Sequence, residues 1–184
     1  MSKALPEISP DLSAWIAQQH LFMVATAPNL DGGHLNCSPK GGDTFRVLDA
    51  HTVAYLDYTG SGAETIAHLR DNGRILIMFC EFEKAPRVLR LHGKGTVITP
   101  NSPEFEAAEK LFPENPGTRA LIRIAVTRVS TSCGYGVPFM EFRGHRDTLD
   151  KYFAAKGPEK TREYWREKNS RSIDGLPALD DTAT

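Results

Sequence analysis

"LFMVATAPNLDGGHLNCSPKGG", residues 21–42, is the stretch from which the architecture is read. Residues 21–27 form a compact apolar run of a length that suits a buried strand. "PNLDGG", 28–33, is turn chemistry, and the alternation that resumes at 34–38 makes the two segments a predicted hairpin. The second strand is expected to end at Asn36 and Cys37. There Ser38, Pro39, Lys40, Gly41 and Gly42 gather a hydroxyl, an ammonium and unshielded backbone amides. That set suits a phosphate. It equally suits a strand end followed by a tight turn, with Lys40 in solvent.

Working outward, "HTVAYLDY", 51–58, alternates, with Val53, Tyr55 and Asp57 on one face and Ala54, Leu56 and Tyr58 on the other. "TGSGAETIAHLRDNG", 59–73, reads as a glycine-rich loop entering a helix that stops at Asn72-Gly73. The hydroxyls of Ser61 and Thr65 and the free amides of the first turn form a second place for an anion. Glu64 competes for those amides, and the alternative is that Ser61 caps the helix while Glu64 complements its dipole. "RILIMFCEF", 74–82, is the most continuous strand-like run. "RVLRLHGKGTVI", 87–98, alternates around Gly93 and Gly95, which mark a bulge or a close backbone approach. Arg87 and Arg90, three apart on a strand, point to opposite faces. "ALIRIAVTRVSTS", 120–132, is a long alternating strand. Helices are expected at 10–19, capped by Ser9 or Asp11, at 102–112, with Ser102 as cap and Pro103 in the first turn, and through the charged segment 147–168. The result is about six strands with short interleaved helices, an α+β chain whose sheet is antiparallel and closes into a small barrel.

The 184 residues suit one domain with an extension, divided here into a barrel domain at 1–145 and a C-terminal helical extension and tail at 146–184. A net charge of -1 gives no electrostatic case for nucleic acid or an anionic membrane. Three widely spaced cysteines fit no disulfide framework, and the six histidines show no metal-ligand spacing, so no metal is expected. Cys133, in the glycine-rich "CGYGVP", has no histidine near it in sequence to make it a nucleophile. The N-terminus lacks the apolar core of a signal peptide and no run reaches the length of a membrane span, so the chain is expected to be cytoplasmic.

The order of these pieces, "HLFMVATA…GHLNCSPKGG…VAYLDYTGSGAETIAHLRDNGRILIMF…PRVLRLHGKG", resembles the pyridoxamine 5'-phosphate oxidase-like superfamily over roughly residues 18–130. The likeness is to an oxidase-related branch that also carries "CGYGVP" and "SIDGLPAL", and not to the true oxidase. It implies a six-stranded Greek-key split barrel, a homodimer, and FMN in two clefts at the subunit interface. It implies FMN contacts from Asn36, Ser38, Pro39, Lys40, Gly41, Asp57, Ser61, Glu64, Thr65, Arg87 and Tyr135. Ser38 and the 39–41 amides would meet the ring; Lys40, Ser61 and Thr65 the ribityl-phosphate end; Arg87 either end; Tyr135 and the "SIDGLP" tail the open face. The activity implied is transfer of hydride or electrons between flavin and a small molecule. The alternative on the same fold is a non-enzymatic protein that binds flavin, deazaflavin or haem. This chain departs from the true oxidase in three places. Ala63-Glu64-Thr65 stands for a Ser-Arg-Lys triplet, Val88 for a glutamine, and the C-terminus lacks the expected tryptophan- and arginine-bearing segment. These departures argue against pyridoxamine phosphate as the substrate.

Overall fold

A computed structural model describes residues 3–100 and 102–179. Among them the chain order is β1 (Lys3–Leu5), α1 (Pro10–Ile16), β2 (Leu21–Thr26), β3 (Asn36–Gly41), β4 (Phe45–Asp49), β5 (Thr52–Tyr58), α2 (Glu64–Asn72), β6 (Arg74–Cys80), β7 (Val88–Ile98), α3 (Pro103–Glu109), β8 (Thr118–Ser132) and α4 (Thr148–Lys168). Ser9 caps α1 and Ser102 caps α3, each accepting the amide three residues on, with proline in the first turn. The last residues of the polar tail, 180–184, lie outside the described residues.

One antiparallel sheet runs β3-β2-β6-β7-β8-β5-β4, with β1 beside β8. It has eight strands where the sequence reading expects six; β1 and β4 are the additions. The expected hairpin is β2–β3, but β3 does not stop at Cys37. It continues through Ser38-Pro39-Lys40-Gly41 in register with Met23 and Phe22. Proline is tolerated there because β3 is an edge strand, where a missing N–H leaves no neighbour unpaired.

The sheet is curled into a half-barrel. Phe22 of β2 lies 5.0 Å from Phe45 of β4 and 5.5 Å from Tyr55 of β5, ring centroid to ring centroid. Those strands stand far apart in the sheet order, so a flat sheet could not bring the rings together. The interior is filled by Val24, Ile77, Leu91, Ile122 and Ile124 from the strands and by Ile66 and Leu69 from α2. Burying each such side chain contributes about 1.5–3 kcal/mol. Gly93 and Gly95 let this packing close: a Cβ at Gly93 would stand 2.4 Å from the Ala125 carbonyl oxygen, and one at Gly95 2.8 Å from Leu69. The register shifts between His92 and Gly93, the expected bulge. On the other face of β5, Ala54 and Leu56 pack with Phe105 of α3, Phe112 and Leu121.

α4 is two helical pieces joined at Gly157, whose φ of 76° breaks the spiral before Pro158 starts the second. The break lets Phe153 cover Gly117 while Trp165 enters the core. No helix among the described residues is long and apolar enough to cross a membrane.

Candidate functional site

The pleat of β3 turns Asn36, Ser38 and Lys40 towards the interior, opposite Thr26, Val24 and Phe22 of β2. Pro39 and Gly41 take the outer face. Asn36 Nδ2 donates to Thr65 Oγ1 in the first turn of α2 at 3.1 Å, and more weakly to Thr26 Oγ1 at 3.4 Å. Ser38 Oγ donates to Asn36 Oδ1 at 3.0 Å, and Thr26 Oγ1 lies 2.9 Å from His68 Nδ1. Two atoms of this interior, Tyr55 Oη and His68 Nε2, are buried with no hydrogen-bond partner among the described residues. An unpaired buried polar atom costs about 1–3 kcal/mol. Burial lowers the His68 pKa, so its ring is neutral at pH 7.

Lys40 is engaged elsewhere. Its ammonium donates to Asp57 Oδ1 at 2.6 Å, and the other Asp57 oxygen accepts from Arg119 Nε at 2.8 Å. Burial pushes the Asp57 carboxyl up, but the Arg119 guanidinium and the Lys40 ammonium outweigh it and hold the pKa at about 2. Arg119 continues the chain, donating to the Gly62 carbonyl at 2.8 Å and to Asn169 Oδ1 at 2.9 Å. Asn169 in turn donates to the Gly60 carbonyl at 3.1 Å. Thr59 Oγ1 donates to the Gly117 carbonyl and accepts the indole N–H of Trp165, both at 2.8 Å. The loop 59–62 is therefore held in shape from below by Asp57–Arg119 and from the side by α4.

α2 starts at Glu64 after Ala63, and no side chain caps it; Ser61 is not the cap. Nor does Glu64 close that end, because its carboxylate accepts the Ile173 amide at 3.1 and 3.2 Å. The "SIDGLP" tail forms a hook on the chain's own α2. Asp174 Oδ2 accepts the His34 amide at 2.8 Å, and His34 Nδ1 lies 2.7 Å from Asp174 Oδ1. That hydrogen bond raises the His34 pKa and lowers that of Asp174.

Of the expected residues, Asn36, Ser38 and Thr65 meet in one row, and Ser61 and Glu64 stand at the adjoining helix start. Lys40 and Asp57 meet as a buried ion pair. Arg87 lies apart, its guanidinium 5.1 Å over the Trp15 ring, and Tyr135 is 82% exposed beyond β8. Sequence reasoning misses Arg119 and Asn169, and reads Trp165 only as a residue that docks the C-terminal helix. The one available signal was Asp57 itself: a carboxylate on the same face as Val53 and Tyr55 requires buried cations.

The family model described as pyridoxamine 5'-phosphate oxidase matches residues 8–133. The chain belongs to that family. A family relative from Aspergillus flavus, the pyridoxamine 5'-phosphate oxidase family protein ustO, is 39% identical over 191 residues, 94% of this chain and 76% of the relative. The crystal structure of HupZ from Group A Streptococcus aligns at 28% identity with a TM-score of 0.53, covering 66% of this chain and 91% of that one. The FAD binding protein from Mycobacterium smegmatis shares the fold at 14% identity and a TM-score of 0.51, covering 71% and 97% of the two chains.

Proposed function

We propose that this family member is an FMN-dependent oxidoreductase working as a homodimer on a small molecule. The observation that carries the reading is the uncapped start of α2 beside the hydroxyl row of Ser38 and Thr65. The donor set fits the phosphate and ribityl end of a flavin through amides and hydroxyls. A Cβ at Gly60 would meet nothing within 4 Å, so a ligand can approach that backbone closely. Ser61 and the first-turn amides would hold the phosphate, and Asn36, Ser38 and Thr65 the ribityl hydroxyls. The Lys40–Asp57–Arg119 chain positions the loop without touching the ligand. Bound there, a flavin supplies hydride and electron transfer.

The dimer reading rests on the outer face of β3, β2 and β6. Met23 pairs with both Pro39 and Met78, and Ala25 with both Cys37 and Leu76, giving a contiguous apolar patch. FAD-binding names among proteins of this fold and membership of the family support a flavin.

The test is the visible spectrum of the purified protein before and after incubation with FMN and desalting. Oxidised-flavin bands are expected, together with turnover of a reduced nicotinamide in the presence of a quinone. Ser61→Asp is expected to weaken FMN about tenfold, one charge placed against the phosphate. A colourless protein whose melting temperature does not move with FMN refutes the reading.

A further inference from the structure

A groove of about 450 Å³ crosses the outer face of the sheet where β2, β6 and β7 lie side by side. It is large enough for a small ligand. None of the residues assigned above to the flavin lines it. Of the interior row, Thr26 reaches its edge, and that side chain turns inward to His68.

The strand register accounts for the groove. Ala25 of β2 stands beside Leu76 of β6, and Leu76 beside His92 of β7. The β7 bulge then places Gly93, which has no side chain, so the floor stays low between Leu76 and Thr127. Leu35, 84% exposed, adds an apolar wall. Together with the half-buried Ala25 and Leu76 it offers apolar surface from which an apolar body would displace water.

One end of the groove is basic. Arg74 and Lys94 are directly opposed in the β6–β7 register, and both are exposed. Beyond them, His92 is opposed to Arg128 of β8. Like charges set directly opposite each other on a sheet are destabilising. The local acceptors do not cancel the charge, because all are neutral. Lys94 Nζ donates to the Asn72 carbonyl at 2.9 Å, Arg74 Nε to Asn72 Oδ1 at 3.2 Å, and Arg74 Nη2 to the Pro28 carbonyl at 3.4 Å. These contacts fix both side chains at the end of α2 and leave further N–H groups on each. Among the described residues, no carboxylate lines the groove or lies within ion-pair distance of Arg74 or Lys94. Asp71 acts on Arg74 at longer range, but its carboxylate is held by the Asn29 amide at 2.6 Å and by Asn72 Nδ2 at 3.1 Å. An anion between the two cations would relieve their repulsion and gain charge-assisted hydrogen bonds from both.

We propose that this groove binds an amphipathic organic carboxylate, with the carboxylate between Arg74 and Lys94 and an aliphatic body on Ala25, Leu76 and Leu35. It shares Ala25 and Leu76 with the apolar patch of the dimer reading, while its basic end lies outside that patch. The site does not depend on the flavin reading.

The test is calorimetric titration of the full chain with octanoate, 1-octanol and octylammonium, probes that share one aliphatic chain and differ in charge. Octanoate is expected to bind tightest, and octylammonium at least about tenfold more weakly. Lys94→Met and, separately, Arg74→Gln are expected to weaken octanoate about fivefold or more and to leave octanol unchanged. Leu35→Ser, at an exposed position, is expected to weaken octanoate and octanol alike. Octanoate affinity is expected to be the same with and without added FMN, which separates this groove from the start of α2. The proposal is overturned if octylammonium binds as tightly as octanoate, or if octanoate does not bind below about 2 mM. It is equally overturned if FMN displaces octanoate, if both charge variants bind it unchanged, or if Leu35→Ser does.

Discussion

Replacing Lys40 by methionine keeps the aliphatic stem and removes one of the two cations on Asp57. The pair is largely out of water: the Lys40 side chain is 20% exposed and that of Asp57 0%. A carboxyl held at about 2 against its ordinary 3.8 contributes roughly 2 kcal/mol of stability at neutral pH. The native value lies below the unfolded one, so this contribution is complete above about pH 4 and is lost as the pH falls through about 2. In Lys40→Met only Arg119 still faces the buried carboxylate, and the expected loss is about 2–4 kcal/mol. For a chain of this length that is a fall in Tm of roughly 6–12 °C. The assay is urea unfolding followed by tryptophan fluorescence between pH 2.5 and 7, in a cycle with Asp57→Asn. The parent's stability is expected to be flat down to about pH 4 and then to fall, and the fall is expected to be shallower in Asp57→Asn. A Lys40→Met protein within about 0.5 kcal/mol of the parent, or losses that simply add in the double variant, refutes the structural role of the pair.

Glu64→Gln removes a negative charge from the start of α2 and is expected to tighten FMN about three- to tenfold, read by fluorescence quenching; weaker binding contradicts the placement of the phosphate there. Gly93→Ala drives a methyl group into the Ala125 carbonyl and is expected to cost about 3 kcal/mol or more, seen as a lower urea midpoint; a neutral result means the bulge can relax. Met78→Glu puts a charge in the centre of the outer apolar patch. Light scattering is expected to give a dimer for the parent and a 20.3 kDa monomer for the variant, and a monomeric parent rules out the dimer.

Much of the fold can be read directly because it is local. The turn at 28–33 fixes the β2–β3 pairing, and the period-two pattern of 51–58 puts Tyr55 and Asp57 on one face of their strand. β1 escapes because three residues carry no periodicity, and β4 because its half-polar "FRVLD" depends on pairing with β5 for its definition. The end of β3 was misplaced because Pro39 and Gly41 read as turn residues, and only the strand's edge position makes them acceptable. At the site, Asn36, Ser38 and Thr65 carry a visible chemical signature. The partner of Lys40 does not: Asp57 lies 17 residues on, in a strand well removed in the sheet order, and curling of the sheet is what closes that gap. Asn169 is harder still, since nothing in "REKNSRS" shows that its amide serves the Gly60 carbonyl.

The clamp on the 59–62 loop also sets an order of events during biosynthesis. A ribosome finishes that loop long before it reaches Trp165 and Asn169, which donate hydrogen bonds to it. At about 5–20 residues per second, the interval between Gly60 and Asn169 is roughly 5–20 s. Even once β8 has been made, the sheet carries an unclamped loop and Arg119 lacks its acceptor on Asn169 until that residue follows. The site therefore takes its final form only after Asn169 has been made, so a message cut short before codon 169 would yield a sheet without a working loop.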